Sequence, residues 1–315
     1  MQVAVPVAMA PSSRIAAGDL RSDLDLTAEE LDRLLELTLQ VKRAPARFAS
    51  ALKGSYIALL FEKPSLRTRM TFELAIKQLG GDAILGNGMI GEREPLKDVA
   101  RNLERWVNGI VARTFTQSTI DDLASWACVP VVNALSDRYH PCQALADVFT
   151  LQERFGRLKG LKLAFSGDGN NVAHSLMLNA ARLGVDFALA SPEGYDANPE
   201  VIAKARELAS ATGATIQCTR DPYEAVRGAH AVYTDVWASM GQENEAAQRR
   251  GVFAPYQVNE SLFAASRPDS IFMHCLPAKR GEEVTDEVVE LRQSAVFDQA
   301  ENRLHVQKAL LLMLL

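Results

Sequence analysis

Apolar residues along this chain recur with two alternating periods, and turn residues mark each change of period. Ser55 to Phe61 (SYIALLF) is an apolar run with the length and the β-branched and aromatic content of a buried strand. Pro64 and Ser65 break it. From Arg67 to Leu79 the spacing is helical, with Phe72, Ala75, Ile76 and Leu79 on one face, and Gly80-Gly81 ends the helix. Before this stretch, Thr27 and Glu30 form a capping box and Leu26 staples against Leu31. Leu31, Leu34, Leu35 and Thr38 then share a helical face that Pro45 stops. After it come a short strand at Ala83 to Leu85, a Gly-rich charged loop over 86–95 that reads as mobile, and a helix from Pro95 to Trp106-Val107. Gly109 to Ala112 is a strand that delivers Arg113 and Thr114. A short helix around Asp121 to Trp126 and a strand at Val129 to Asn133 follow. His140-Pro141 is a turn, and a long helix with Gln143 in its first turn closes the first half.

The second half repeats the alternation. Leu161 to Ser166 is a strand, GDGNN a turn, and Val172 to Leu183 a helix ended by Gly184. Strands at Val185 to Ala190 and Thr215 to Cys218 alternate with helices at Pro199 to Ala211 and Tyr223 to Arg227. Ala231 to Thr234 is a strand that delivers Asp235. A polar stretch follows, whose 242–250 charge run reads as a solvated loop or a lid. Ser270 to His274 is a strand delivering Cys275, Leu276 and Pro277. A last strand at Ala295 to Phe297 leads into a C-terminal helix. Strands alternating with helices of this length predict parallel sheets covered on both faces, an α/β fold.

Composition narrows the function without naming it. At 315 residues the chain can build two domains, and 48% apolar with 23% charged residues is ordinary for a globular protein. A net charge of −5 argues against a nucleic-acid partner, so any anion site must be a local concentration of arginine. No apolar run approaches the roughly 20 residues of a membrane span. The N-terminal MQVAVPVAMAPSSR lacks a basic start and has only a short apolar centre, so it reads as a flexible lead-in rather than a targeting peptide. Cys128, Cys142, Cys218 and Cys275 show no paired or CxxC spacing, which fits a reducing cytosol and argues against structural zinc.

The candidate chemistry has a common address. Ligands of parallel sheets bind beyond the carboxyl ends of the strands, and Ser65, Arg113, His140, Asn171, Asp235 and Cys275 all fall there. Ser65, Arg67, Thr68 and Arg69 sit at a strand-to-helix turn, where unsatisfied N–H groups and the helix dipole favour an anion. Two guanidiniums and two hydroxyls make that turn an oxyanion receptor. Other readings stand beside these. His140 is either a core histidine or a site residue, and Cys275 either an inert thiol or a group whose backbone faces a ligand. His174, His230 and His305 have no companions and read as structural or surface. GDGNN lacks the third glycine of a dinucleotide fingerprint, and the next strand ends without the acidic residue that would hold a ribose. No GxSxG elbow and no P-loop are present. An arginine-lined anion pocket with a separate Asp/Asn/Ser group for an amine suits transfer of an acyl or carbamoyl group from a phosphate leaving group.

FEKPSLRTR, HPCQALAD, DVWASMG and HCLPAKRGEEVTDEV, in this order from about Leu24 to the end, resemble the aspartate/ornithine carbamoyltransferase family, and its ornithine-using members in particular. The first two motifs are common to carbamoyltransferases; the last two indicate the acceptor. The resemblance implies two doubly wound α/β domains, with the last helix returning to the first. Carbamoyl phosphate belongs to 1–150 with about 300–315, and ornithine to 151–299. It implies that Ser65, Leu66, Arg67 and Thr68 hold the phosphate. Arg113, His140 and Gln143 address the carbamoyl end, and Cys275, Leu276 and Arg303 complete the pocket, with Arg113, His140 and Cys275 acting in catalysis. Asn171, Asp235, Ser239 and Met240 hold ornithine. It further implies a homotrimer or a multiple of trimers in the cytoplasm, with no metal, organic cofactor, nucleic acid or membrane involved. Leu66 stands where threonine is commoner, which removes a hydroxyl but keeps the backbone donors. Met89 stands where many relatives have glutamine, on a loop that reaches a neighbouring subunit in the family. Three rivals differ from this reading. A carbamoyltransferase for N-acylornithine or putrescine changes only the acceptor. A nucleotide-binding oxidoreductase needs a cofactor, and a silent binding protein has no use for intact Arg67, Arg113, His140 and Arg303.

Overall fold

The alternation of strand and helix periods folds into two compact units in the computed structural model, which describes residues 14–238 and 243–315. One unit extends up to Leu145 and takes in Asn302–Leu315; the other is Ala146–Glu301. Most of the N-terminal lead-in, together with Ser239 and Met240, lies outside the described residues.

In the first unit, α1 (Ala28–Arg43) starts where its sequence caps it. Thr27 Oγ1 accepts the Glu30 N–H at 3.1 Å and Glu30 Oε2 accepts the Thr27 N–H at 2.8 Å. The apolar run forms β1 (Tyr56–Phe61), followed by α2 (Leu66–Gln78), β2 (Asp82–Asn87), α3 (Leu96–Leu103), β3 (Gly109–Arg113), α4 (Gln117–Trp126), β4 (Val131–Leu135) and the start of α5 (Pro141–Phe155), whose residues from Ala146 on belong to the second unit. The four strands are parallel in the order β2-β1-β3-β4. Ala58, Ile110, Ala112, Ile120, Leu123 and Val131 form a core beneath α3 and α4. The C-terminal helix packs into this unit: Leu310, Leu311 and Met313 are buried, and the Met313 carbonyl accepts the Ile15 N–H at 3.0 Å.

The second unit carries β5 (Lys162–Ser166), α6 (Asn171–Leu183), β6 (Asp186–Ala190), α7 (Pro199–Thr212), β7 (Ile216–Thr219), α8 (Pro222–Val226), β8 (Ala231–Thr234), α9 (Ala246–Phe253), α10 (Glu260–Ala264), β9 (Ile271–His274), α11 (Asp286–Val289) and the start of α12 (Val296–Leu314). Its five parallel strands run β7-β6-β5-β8-β9, so β9 is an edge. Ala164, Val232, Leu262, Phe272, Val288 and Val296 share its main core.

Several elements depart from the sequence pattern for identifiable reasons. α3 ends at Leu103 instead of Trp106-Val107. The chain leaves the helix so that Asn108 can pair with β1, its N–H donating to the Tyr56 carbonyl and its Oδ1 accepting the Tyr56 N–H. β4 starts at Val131 rather than Val129, because Pro130 has no N–H for the ladder; Val131 N–H donates to Asp19 Oδ1. α4 begins at Gln117, earlier than Asp121. The 242–250 charge run is helical rather than a loop over its described part (Ala246–Phe253 is α9), and although most of it is exposed, Arg249 in it is buried. The strand expected at Ala295 to Phe297 is the first turn of α12. Only Ser294 forms a β-bridge, to Phe272, and the polar DQAENR segment continues as helix.

Candidate active site

In the first sheet, β1, β3 and β4 end in the residues that form an anion cradle. Ser65 is the N-cap of α2, its Oγ accepting the Thr68 N–H at 3.3 Å. The remaining first-turn N–H groups of such a helix have no intrahelical acceptors and favour an anion. Thr68 is buried, and two guanidiniums converge on its hydroxyl: Arg303 Nη2 donates at 2.6 Å and Arg113 Nη1 at 3.4 Å. Bringing two like charges to one hydroxyl is costly without a negative ligand nearby. Arg67 and Ser65 are half-buried; Leu66 is exposed and contributes backbone only. His140 and Gln143 are buried at the start of α5. Burial first, then Arg303 and Arg113, hold the His140 imidazole well below its ordinary range, so it is neutral at physiological pH. A neutral imidazole can hydrogen-bond a carbonyl without adding a further charge. The Cys142 thiol beside it is pushed up to about 12 by burial and is inert.

In the second sheet, Asp235 follows β8, Cys275 follows β9 and Asn171 opens α6. Asp235 is buried and, among the described residues, accepts hydrogen bonds from Val236 N–H at 2.8 Å, from the Cys275 thiol at 3.0 Å and from Asn170 Nδ2 at 2.8 Å. An ionised carboxylate offers about four acceptor sites, so these donors do not exhaust it. Asn170 also caps α6, its Oδ1 accepting the N–H groups of Val172 and Ala173. Asn170 was not legible as a site residue beside Asn171, because adjacent asparagines look alike until the helix start separates their roles.

The GDGNN turn has its own reason for glycine. A Cβ on Gly169 would lie 2.1 Å from the Ala197 nitrogen, so the turn packs against the 196–197 backbone. Asp168 in the turn is paired with Arg249 of α9 at 2.8 Å. Arg249 also donates to the Trp237 carbonyl at 2.9 Å and to Glu245 at 2.9 Å, and lies 4.9 Å from the Tyr195 ring. It ties both flanks of the segment holding Ser239 and Met240, and sequence reasoning missed it.

Asp235, His274 and Cys275 bring ligand-type atoms within 4.8 Å of one another. Both ring nitrogens of His274 are engaged, however. Nδ1 accepts the Leu276 N–H at 2.8 Å, which puts the ring proton on Nε2, 3.2 Å from Glu283 Oε1. His274 thereby holds Leu276, which has the left-handed φ of +57° rare for a side-chain-bearing residue. Two other histidines are structural: His174 Nε2 accepts the Asn198 N–H and His230 Nδ1 accepts the Lys162 N–H. Glu62, just past β1, was also missed. It accepts the N–H groups of Ile90 and Phe115, fixing the loop that carries Met89.

Both units match the description of one family. The chain belongs to the aspartate/ornithine carbamoyltransferase family: residues 19–153 match its carbamoyl-phosphate-binding domain and residues 159–314 its aspartate/ornithine-binding domain. It is 54% identical over 302 residues to the ornithine carbamoyltransferase of Rhodococcus opacus, covering 94% of this chain and 95% of that one. It is 50% identical over 307 residues to the enzyme of the same name from Gloeobacter violaceus, covering 95% and 97%. The solved ornithine carbamoyltransferase of Pyrococcus furiosus superposes with a TM-score of 0.92 at 48% identity, covering 95% of this chain and 97% of that chain.

Proposed function

We propose that the chain transfers the carbamoyl group of carbamoyl phosphate to the δ-amine of L-ornithine, giving L-citrulline and phosphate. The observation that carries this reading is the convergence of Arg113 and Arg303 on the buried Thr68 hydroxyl, at the start of α2. The first unit takes carbamoyl phosphate: Ser65, Leu66, Arg67, Thr68 and Arg303 hold the phosphate, and Arg113, His140 and Gln143 address the carbamoyl oxygen and nitrogen. The second unit takes ornithine through Asn171, Asp235, Ser239 and Met240, with Cys275 and Leu276 at the reacting end.

Ornithine's δ-amine must be neutral to attack, yet its ordinary pKa is near that of lysine, about 10. Cations and desolvation lower it. Asp235 fixes the α-ammonium, and so aims the δ-amine, through a carboxylate that its donors Val236, Cys275 and Asn170 hold in place. Attack forms the new C–N bond and an oxyanion that Arg113, neutral His140 and Thr68 stabilise. The C–O bond to phosphate then breaks, the amine proton passes to the leaving group, and phosphate remains in the Ser65 turn. The reaction needs no metal or organic cofactor. A citrulline-forming assay tests the reading; absence of citrulline with both substrates present refutes it.

The assembly is a homotrimer or a multiple of trimers. Supporting this, Ile84 and Leu85 on the edge strand β2, with Trp106, are exposed around an apolar groove of about 440 Å³ in the first unit. Met89, on the loop that reaches a neighbouring subunit in the family this chain resembles, is exposed. An active monomer in light scattering at assay concentration would rule this out. The enzyme works in the cytoplasm, in arginine biosynthesis. One feature fits that location: Cys128, Cys142, Cys218 and Cys275 are free thiols. Among the described residues no helix is long and apolar enough to cross a membrane.

A further inference from the structure

β9 is the free edge of its sheet, and the way that edge is closed fixes where Cys275 begins. Phe272 N–H donates to the Gln293 carbonyl at 3.0 Å and Ala295 N–H to the Phe272 carbonyl at 2.8 Å. The backbone before α12 thus satisfies one residue of the edge. The next outward-facing N–H, that of His274, is met by a side chain: Gln299 Oε1 accepts it at 3.0 Å. The same amide spends its NH₂ on Asp147 Oδ1 at 2.7 Å and on the Tyr233 hydroxyl oxygen at 3.1 Å, and Tyr233 donates to Asp147 Oδ2 at 3.0 Å. Asp147, Tyr233, His274 and Gln299 are all fully buried. One amide therefore joins α5, β8, β9 and α12 within the second unit.

The network lies directly behind the Asp235–Cys275 pair. β8 and β9 are in register through Tyr233↔Met273 and Thr234↔His274, so Cys275 is one residue past the rung that Gln299 completes, and Asp235 is two past Tyr233. Burial, with Asp147, keeps the Tyr233 phenol well above its ordinary range, so it stays a donor. Only an amide meets the demand at position 299. It must accept from His274 and donate to a buried carboxylate with the same group; a carboxylate cannot donate and an alkyl chain can do neither.

We propose that Gln299 is a positioning residue of the acceptor site, holding the ends of β8 and β9 so that the Cys275 thiol and the Asp235 carboxylate stay in hydrogen-bonding contact. This rests on the reading of Asp235 and Cys275 as acceptor-site groups, and the test separates the two claims. Gln299→Glu sets an acceptor against Asp147; adding Asp147→Asn reverses donor and acceptor and restores the pair, while His274 N–H keeps its acceptor. Two readouts are taken with the thermal midpoint: kcat/KM for ornithine, and iodoacetamide labelling of Cys275 relative to exposed Cys128 in the same molecule, by mass spectrometry. Gln299→Glu should lower kcat/KM by about tenfold and raise the Cys275-to-Cys128 ratio by about threefold, and the double variant should recover both. If Gln299→Glu does not fold, Gln299→Met, of similar length and volume, carries the single-variant arm. An unchanged labelling ratio in a folded single variant, or a double variant that recovers neither readout, overturns the role of Gln299. A labelling ratio that shifts and is rescued while ornithine kcat/KM never moves overturns instead the acceptor-site reading of Cys275.

Discussion

Arg303 Nη2 donates to the Thr68 hydroxyl at 2.6 Å, joining residues 235 positions apart in the chain. The contact places a cation from the C-terminal helix at the first turn of α2, which that helix's own sequence only half equips for an anion. Arg303→Met should therefore weaken carbamoyl phosphate binding, measured by calorimetry without ornithine. Removing one charged hydrogen bond costs about 1.5–3 kcal/mol, or roughly 10- to 150-fold in affinity. Unaltered binding would mean that Arg303 only braces Thr68.

Arg113 is the counterpart with a different task. It lies at the end of β3 and reaches the same hydroxyl at the longer distance of 3.4 Å; in the proposed reaction its partner is the developing oxyanion. Arg113→Ala should lower kcat by about 10²-fold or more. Ground-state phosphate affinity should fall less than in Arg67→Ala. Wild-type turnover in the variant would remove Arg113 from the carbamoyl end.

His140 gives the pH dependence of stability a definite sign. Its folded pKa is depressed by burial, Arg303 and Arg113, while the unfolded chain titrates near 6.5. Below about 6.5 the unfolded state binds the extra proton, so this contribution is full above that pH and is lost as pH falls, at up to about 1.4 kcal/mol per pH unit. Urea midpoints of the wild type should drop more steeply between about pH 6.5 and 5 than those of His140→Gln. Parallel curves would show that His140 does not titrate on unfolding.

Much of this frame is legible in sequence, for local reasons. The Thr27–Glu30 box and the Ser65 cap are short-range patterns, and the strand ends at Arg113, Asp235 and Cys275 follow from where apolar runs stop. What escapes the pattern depends on side chains meeting across long separations. Arg249 lies in a polar run that looks solvated, and its burial is explained by partners far along the chain, Asp168 81 residues away among them. Gln299 sits in a segment whose start looks like a strand, and nothing local reveals that its amide completes the edge of β9. Arg303 in the interior of α12 is placed by resemblance alone until the Thr68 contact is seen.

Arg249 should control the acceptor loop without touching the substrate. It bonds the Trp237 carbonyl before residues 239–242 and Glu245 after them, and anchors both to Asp168. Arg249→Ala leaves Asp168 without this partner in a largely buried place, which typically costs several kcal/mol. Arg249→Lys is the milder probe, keeping a charge but losing the fork. Its ornithine KM should rise about tenfold with carbamoyl phosphate affinity unchanged. Equal losses for both substrates would point to general destabilisation.

The acceptor preference follows from the charge on Asp235. Among the described residues its carboxylate takes donors from Val236, Cys275 and Asn170; in the proposed reading a remaining acceptor site takes the α-ammonium. Putrescine lacks the carboxylate of an amino-acid head, and N-acetylornithine has an uncharged α-nitrogen, so both forgo part of the recognition. Losing one buried charged hydrogen bond costs on the order of 2–3 kcal/mol, roughly 30- to 150-fold in kcat/KM. With the acceptors mixed at equal concentration, ornithine should be consumed first by about tenfold or more. Asp235→Asn should raise the ornithine KM strongly while calorimetric binding of carbamoyl phosphate alone stays nearly constant. Equal or faster use of putrescine or the acetylated amine would mean that Asp235 does not read the amino-acid head, and that the carboxylate serves the δ-amine instead.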